Sequence, residues 1–181
     1  MNSLPLRMSR LSMLLFVAFL SQTAVLAQVG WMPGVGPSIA PSSSLAGINT
    51  RVYYGVNERF CFGPEISFFP YQQLNNEYDT QLWEANVNAH YVFEVAHRLG
   101  LYPLSGFNYS FENERSLVNS NEIAKHNAPG LNYGVGLHYS INNIIVFTEY
   151  KGVVSELSDE FFTLGAVILL TKPKPKDHHQ D

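Results

Sequence analysis

Residues 80–95 read Thr-Gln-Leu-Trp-Glu-Ala-Asn-Val-Asn-Ala-His-Tyr-Val-Phe-Glu-Val. From Trp83 onward, mainly apolar side chains occupy one set of alternate positions, while the other set carries carboxylate, amide and imidazole groups. A period of two residues is typical of a β-strand with one apolar and one polar face. The segment is longer than the roughly 5–6 residues of an average soluble strand and long enough for the 9–11 residues of a tilted membrane-crossing strand.

The same alternation recurs along the chain and predicts eight strands. They lie within residues 29–40 and at 45–56, 59–70, 80–95, 99–111, 129–140, 144–152 and 161–171. The first segment is rich in glycine and proline, which predicts a short or bent strand. Pro64 and Pro103 fall inside two other strands, where we expect each to mark a β-bulge because proline lacks a ladder donor.

The connections between these strands predict a topology. Short turns fall at residues 57–58, 96–98 and 142–143, and longer polar loops at 71–79, 112–127 and 153–160. Eight antiparallel strands place both termini on the side of the short turns. Short periplasmic turns and longer external loops are typical of bacterial outer-membrane barrels. The sequence therefore predicts an all-β fold, an eight-stranded antiparallel up-and-down transmembrane β-barrel in the outer membrane, with both termini periplasmic.

The two ends of the chain predict segments outside the barrel. Residues 1–27 carry two arginines, an apolar run and Val-Leu-Ala before Gln28, a pattern typical of a cleaved signal peptide. The alternative, a retained transmembrane anchor, is disfavoured because the apolar run is shorter than about 20 residues. Residues 28–171 form the predicted barrel. Residues 172–181 contain Lys-Pro-Lys-Pro-Lys and predict a disordered periplasmic tail.

Composition argues against several kinds of function. The formal net charge is −4 and there is no basic block, so we expect no nucleic-acid partner. Cys61 is the single cysteine, which allows no intrachain disulfide. The histidines show no ligand spacing, and no glycine-rich phosphate motif is present. We therefore expect no cofactor and no metal site, and outer-membrane lipid as the surroundings.

The alternating segments of residues 46–68, joined by the turn at Asn57-Glu58, resemble a hairpin of the small OmpA/OmpX-like outer-membrane barrels. The resemblance extends over most of the predicted barrel as a pattern of strands and turns. It implies a transmembrane barrel of the bacterial cell envelope, related to the porin family. It also admits a subunit of a larger outer-membrane complex.

The polar face of the strands predicts a network inside the barrel. An eight-stranded barrel has an interior just wide enough for side chains to fill. Seven ionisable side chains are predicted to point into this lumen: Arg51, Glu65, Glu84, His90, His138, Glu149 and Lys151. Buried charges need partners, so we expect them to fill the lumen with ion pairs and hydrogen bonds. A small gated ion or proton channel is the alternative.

Two further alternatives follow from the sequence. His138, Ser140 and Glu149 are the parts of an acyl hydrolase, with a spacing loosely similar to that of lipid A deacylase barrels. Ser140, however, lies next to a predicted periplasmic turn, whereas such enzymes act on outer-leaflet lipid. A soluble lipocalin-like barrel would instead direct its apolar face inward.

The sequence thus favours a non-enzymatic outer-membrane barrel with a structural or interaction role, such as envelope integrity, surface binding or membership of a complex. We expect a protein partner to bind the external loops 71–79 and 112–127 or the tail 172–181.

Overall fold

The computed structural model describes residues 30–73, 77–118 and 123–170, and nearly all of them are in β-strands. None of these residues forms a helix of the length and apolarity needed to cross a bilayer. The predicted signal peptide and tail lie outside the described residues. The strands are β1 Gly30–Ala40, β2 Leu45–Gly55, β3 Phe60–Gln73, β4 Tyr78–Tyr91, β5 Phe93–Ala96, β6 Leu99–Ser116, β7 Ile123–Ile141, β8 Ile144–Val154 and β9 Glu160–Ile168.

The strands form one closed antiparallel barrel. Apart from β4 and β5, which lie end to end, consecutive strands pair with each other, and β1 pairs with β9 to close the ring. Strand β5 continues β4 after an interruption at Val92, whose N–H donates to the carbonyl of Arg59 at 2.6 Å. Both β4 and β5 pair with β6, so the nine segments make eight barrel strands. The predicted fold class is confirmed, with the strand predicted at 80–95 divided in two.

The first strand is more regular than predicted. Strand β1 pairs with β2 in unbroken register over all 11 of its residues, so the expectation of a short or bent strand is wrong. Two glycines of β1 allow it to lie close to β9, where the barrel closes. A Cβ on Gly36 would lie 2.1 Å from the carbonyl oxygen of Leu164, so β1 and β9 approach at a distance that excludes a side chain there.

The predicted bulges at Pro64 and Pro103 are also wrong. Pro64 pairs with Val87 and Pro103 with Val135, and the register continues across both positions. Both proline rings lie on the outer surface of the barrel. In the β3–β4 ladder the shift falls between Phe69 and Gln72 instead.

The barrel has two distinct rims. At the rim that we call the turn rim, the connections span residues 56–59, 97–98 and 142–143, in agreement with the predicted turns. Arg98 and Asn142 adopt left-handed backbone conformations there, with φ of 67° and 56°. The described ends of the chain meet at this rim, where the N–H of Leu170 donates to the carbonyl of Trp31 at 2.8 Å. The opposite end is called the loop rim.

The outer surface is apolar and carries two aromatic belts. Trp83 lies near the loop rim and Phe93 near the turn rim, about ten residues apart on one barrel strand. This separation is roughly 33 Å along the strand, or about 25 Å along the barrel axis at a tilt of about 40°, which matches the apolar band of outer-membrane barrels. An apolar exterior is the reverse of the lipocalin-like alternative. The belts contain Phe68, Trp83, Tyr109, Phe111, Tyr133, Tyr150 and Phe162 at one level, and Trp31, Tyr54, Phe60, Phe62, Tyr91, Phe93 and Tyr139 at the other.

Strands continue beyond the loop-rim belt. The prediction of loops starting at residues 71 and 112 is wrong, because β3 extends to Gln73, β6 to Ser116 and β7 begins at Ile123. The projecting sheet, residues 70–73, 78–82, 112–116 and 123–130, is called the flap. Polar residues form strands here because both faces of the sheet lie outside the apolar band. Their polarity marks the level at which the chain leaves that band, and the strands continue past it.

Candidate functional site

A chain of alternating charges crosses the middle of the lumen. The guanidinium of Arg51 binds both oxygens of Glu149, at 2.9 and 3.0 Å, and approaches Glu65 at 3.2 Å. Lys151 Nζ lies 2.8 Å from Glu65 and 3.2 Å from Glu84. The order is therefore Glu149, Arg51, Glu65, Lys151, Glu84, and each cation lies between two carboxylates. All five side chains are at most 3% exposed.

Neutral donors complete this network. Tyr53 donates to Glu65 at 3.1 Å, and Tyr102 donates to Glu149 at 3.0 Å. The Asn108 amide donates to Glu84 at 2.9 Å. Hydrogen bonds of this kind supply the partners that buried carboxylates require. Further amides extend the layer around the barrel: Asn49, Asn86, Asn88 and Asn132.

Apolar side chains lie on both sides of the charges in the lumen. On the loop-rim side, the rings of Phe69 and Phe161 stand 5.4 Å apart in a buried cluster with Leu45 and Leu82. On the turn-rim side, a second cluster contains Met32, Tyr53, Ile145, Phe147 and Val167. The lumen therefore holds a filled apolar layer, a filled charged layer and, on the turn-rim side, an apolar cluster that lines a cavity.

Each cation also contacts one of the apolar layers. The Arg51 guanidinium lies over the Phe147 ring at 4.2 Å, and Lys151 Nζ lies over the Phe161 ring at 5.2 Å. A cation close to an aromatic face is attracted by the ring quadrupole, more strongly in a desolvated site. The charged layer is thus joined to the aromatic layer above it and to the one below it.

The two predicted lumen histidines differ in their surroundings. His90 is buried between Tyr53 and Tyr102, and its Nε2 stands 3.9 Å from Glu149, too far for a hydrogen bond. His138 lies nearer the turn rim, where its ring stacks on Tyr102, and it makes no ion pair within the described residues. Both line a cavity of about 60 Å³ that extends toward the turn rim.

The parts of the acyl-hydrolase alternative are not assembled as a relay. Both oxygens of Glu149 are bonded to Arg51, and one also accepts from Tyr102. In the β7–β8 ladder, His138 lies opposite Phe147, whereas Glu149 lies opposite Gly136. A histidine that acts as a base needs an orienting group within hydrogen-bond reach. The carboxylate proposed for that role is engaged by the lumen network. In the described part of the chain, no three His, Cys, Asp or Glu side chains converge as metal ligands would.

Tyr53, Tyr102 and the lumen asparagines belong to the network although the set predicted from the sequence contains only ionisable residues. The alternation places Tyr53, Asn86 and Asn88 on the polar face, so the sequence alone predicts that these side chains point into the lumen. Asn108 and Tyr102 lie on β6, where Pro103 and several small residues weaken the alternation. A count of acceptor oxygens on three buried carboxylates would have indicated that neutral donors are needed.

The loop rim carries an excess of negative charge. Among the described residues of the flap and of the connections beside it, seven carboxylates accompany two cations. One pair is satisfied, since Arg115 contacts Asp79 at 2.6 Å. Partial burial, and then the neighbouring Glu114 and Asp159 carboxylates, raise the pKa of Glu112, against an opposing effect of His126. The carboxylates are Glu77, Asp79, Glu112, Glu114, Glu156, Asp159 and Glu160, and the cations are Arg115 and Lys125.

Several solved structures share this architecture. The N-terminal β-barrel domain of Pseudomonas aeruginosa OprF superposes with a TM-score of 0.60 at 16% identity, covering 79% of this chain and 98% of that one. The chain has the fold of the small outer-membrane β-barrels. Yersinia pestis Ail, the attachment invasion locus protein, gives a TM-score of 0.56 at 17% identity, with coverages of 77% and 98%.

Neisserial surface protein A gives a TM-score of 0.56 at 12% identity, covering 77% of this chain and 95% of that chain. Ail has also been crystallised in complex with the heparin analogue sucrose octasulfate. No protein-family model matches this chain, and no curated protein matches it by sequence. Identities of this size concern the fold, so function has to be argued from the residues of this barrel.

Proposed function

We propose that this protein is a non-enzymatic outer-membrane barrel with a closed lumen, which holds the flap outside the membrane for an interaction or structural role. The closed lumen is the observation that carries the proposal. The turn rim and both termini face the periplasm, and the flap faces the exterior. Arg51, Glu65, Glu84, Glu149 and Lys151 fill the middle of the lumen and stabilise the barrel, and His90 and His138 line the cavity on its turn-rim side.

The charge chain opposes a conducting state. An ion that crosses the lumen has to pass the layer in which Arg51 and Lys151 are each held by two carboxylates. Separating one such pair leaves an uncompensated buried charge, at a cost of about 3–5 kcal/mol. The path also crosses the Phe69 and Phe161 layer, which excludes water. Both layers therefore oppose the passage of an ion.

Planar bilayer recordings test the closed lumen. We expect the refolded wild-type protein to give no steady single-channel current. The matched variant Arg51→Ala/Lys151→Ala removes both lumen cations and should produce frequent openings, which shows that inserted protein is detectable. Steady wild-type conductance at the level of an open pore would refute the proposal and favour the channel alternative.

Protease accessibility tests the orientation. In intact cells that express the protein, externally added trypsin should cleave at Arg115 or Lys125 in the flap. An epitope tag at the C-terminus should become accessible only after the outer membrane is permeabilised. The reverse pattern would refute the assigned orientation, and recovery of the protein in the soluble fraction would refute the membrane location.

Charge indicates the kind of partner. The Ail structure contains a polyanion, but the flap of this chain and the connections beside it carry seven carboxylates and two cations. Like charges placed opposite each other disfavour binding. We therefore expect no retention on a heparin column at physiological salt. Retention would contradict the proposal that the interaction surface selects against polyanions.

A further inference from the structure

We propose that the cavity on the turn-rim side of the lumen binds one Cu(I) ion, with the Cys61 thiolate, the His90 imidazole and the Met32 thioether as its ligands. The inference goes beyond the proposed function, because it concerns the turn-rim end of the barrel and not the flap. It also departs from the expectation of no metal site, which rests on the spacing of the histidines along the chain.

The β3–β4 ladder brings two of these ligands together. Cys61 and His90 are direct partners in that ladder, and both line the cavity. Directly opposed residues have Cβ atoms about 4.5–5.5 Å apart. Metal bonds of about 2.3 Å to sulfur and about 2.0 Å to nitrogen can bridge two side chains at that separation. The two residues lie far apart in the sequence, so no spacing motif marks them.

Met32 supplies a second sulfur atom. It is buried in the apolar cluster against which Cys61 packs, and it lines the same cavity. Thiolate and thioether sulfur select Cu(I), and imidazole also binds copper. Structural zinc sites take four ligands from cysteine, histidine and carboxylates. Since not even three such side chains converge in the described part of the chain, the ligand set suits Cu(I) and not zinc.

His90 is a buried polar side chain that lacks a hydrogen bond. Its side chain is 6% exposed, and its Nε2 has no hydrogen-bond partner among the described residues. Nε2 faces a carboxylate oxygen of Glu149 at 3.9 Å. A metal-bound histidine usually directs its other ring N–H to a carboxylate. The position of Glu149 therefore favours a proton on Nε2 and leaves the lone pair of Nδ1 for a metal ion in the cavity.

The size of the cavity selects an ion over an organic ligand. Its volume of about 60 Å³ gives room for about four water molecules. Pockets for organic ligands usually measure about 300–1,000 Å³. Residues 57–59, in the turn that joins β2 and β3, also line the cavity, so a small ion can enter from the turn rim.

The charge of the bound ion also favours Cu(I). On binding, the S–H bond of Cys61 breaks as the sulfur–copper bond forms, the proton goes to water, and copper remains Cu(I). A thiolate and a monovalent cation together carry no net charge, so the site needs no buried counter-ion. A divalent ion would leave one positive charge in a cavity that Arg51 also lines.

Competition with a chromophoric chelator tests the site. The reduced, full-length mature protein in detergent micelles is titrated anaerobically with Cu(I) in the presence of bicinchoninate, whose absorbance reports the copper that it retains. We expect the protein to withdraw one Cu(I) per barrel, and to withdraw no Zn²⁺ from a zinc indicator of micromolar affinity. Failure to withdraw Cu(I) would overturn the inference.

Variants separate a three-ligand site from a thiol that binds copper alone. His90→Phe keeps an aromatic ring between Tyr53 and Tyr102 and should weaken Cu(I) binding at least tenfold. His97→Phe, in the turn at residues 97–98, is the matched control and should weaken it less than twofold. Cys61→Ser should weaken it at least a hundredfold. Equal affinities for His90→Phe and His97→Phe would overturn the inference, because the thiol would then bind without the imidazole.

X-ray absorption of the wild-type complex gives an answer that does not depend on the folding of any variant. We expect one imidazole nitrogen together with sulfur around the copper, and a spectrum of sulfur ligands alone would refute the site. The adjacent histidines near the C-terminus are a second control. His178→Ala/His179→Ala should keep the affinity within twofold, and loss of binding would place the ion there instead. Failure of these tests would leave the closed lumen standing, which bilayer recordings test separately.

Discussion

Replacing Lys151 by methionine tests whether the lumen network stabilises the barrel. The side chain keeps its length but loses the charge that lies 2.8 Å from Glu65 and 3.2 Å from Glu84. Glu65 retains Arg51 and Tyr53 as partners. Glu84 retains only the hydrogen bond from Asn108 among the contacts described, so its charge becomes uncompensated.

Removing one partner of a buried ion pair typically costs about 3–5 kcal/mol. Both carboxylates are 1% exposed, so solvent screening reduces this value little. We therefore expect Lys151→Met to lower the free energy of unfolding by about 3 kcal/mol or more, which is over a hundredfold in the folding equilibrium. Adding Glu84→Gln should recover more than half of the loss, because it removes the charge that was left without a partner.

Urea titration of protein refolded into lipid vesicles measures this change. Trp31 and Trp83 lie on the outer surface near opposite rims, so their fluorescence reports on transfer from lipid to water. Heat-modifiable gel mobility gives a second signal. Lys125→Met, on the exposed flap, is the matched control and should change stability by less than about 0.5 kcal/mol. A loss below about 1 kcal/mol for Lys151→Met, or no recovery in the double variant, would refute the stabilising role of the network.

Three other perturbations test separate features. Val87→Lys places a charge in the middle of the lipid-facing surface and should lower the free energy of unfolding in vesicles by about 2–4 kcal/mol. Asn113→Lys places the charge beyond the loop-rim belt and should lower it by less than about 1 kcal/mol. Tyr102→Phe removes the donor to Glu149 and should lower stability by about 1–3 kcal/mol, and an unchanged urea midpoint would exclude this bond as a contributor. Because the pKa of Glu112 is raised in the folded state, its ionised form opposes folding, and this effect appears as pH rises above the unfolded-state pKa. Glu112→Gln should therefore raise stability at pH 7 and leave it unchanged at pH 3, with denaturant midpoints as the measurement.

The alternation in the sequence predicted the barrel well because membrane strands obey a strong physical constraint. Most lipid-facing positions have to be apolar, and each turn at the turn rim has to reverse the chain within a few residues. Residues 80–95 satisfy the first requirement and Asn142-Asn143 the second. These local features predict the number of strands, the side chains that face outward and the closure of the barrel, and the structure confirms all three.

Features that depend on neighbouring strands could not be predicted in this way. Glycines in β1 suggested irregularity, but Gly36 is required by the approach of β9, which lies more than 100 residues later in the chain. Pro64 and Pro103 suggested bulges, but their missing donors are accommodated without a change of register. The polar residues of the flap predict loops. In the structure, however, β6 continues through Glu112 and Glu114 and pairs there with both β4 and β7.

The alternation predicts which side chains point into the lumen, but it does not predict which of them pair with each other. Strand parity directs Arg51 and Glu149 inward, yet they meet only because the closed ring brings β2 and β8 to face each other across the lumen. His138 has the same inward parity and makes no ion pair among the described residues, since it lies closer to the turn rim. The side chain of Tyr102 is long enough to reach Glu149, and the alternation carries no information on such a reach.

The charge chain has a consequence for the order in which the barrel is made. Glu149 and Lys151 arrive on β8, 98 residues after Arg51 and 86 residues after Glu65, respectively. A chain that ends before β8 therefore holds Arg51, Glu65 and Glu84 without Lys151, the cation that joins the two carboxylates. Such a truncated product lacks the cation that neutralises Glu84 in the lumen, and it has no β9 to pair with β1. The lumen network thus distinguishes a finished polypeptide from an incomplete one, and only the full-length barrel can bury it in bilayer.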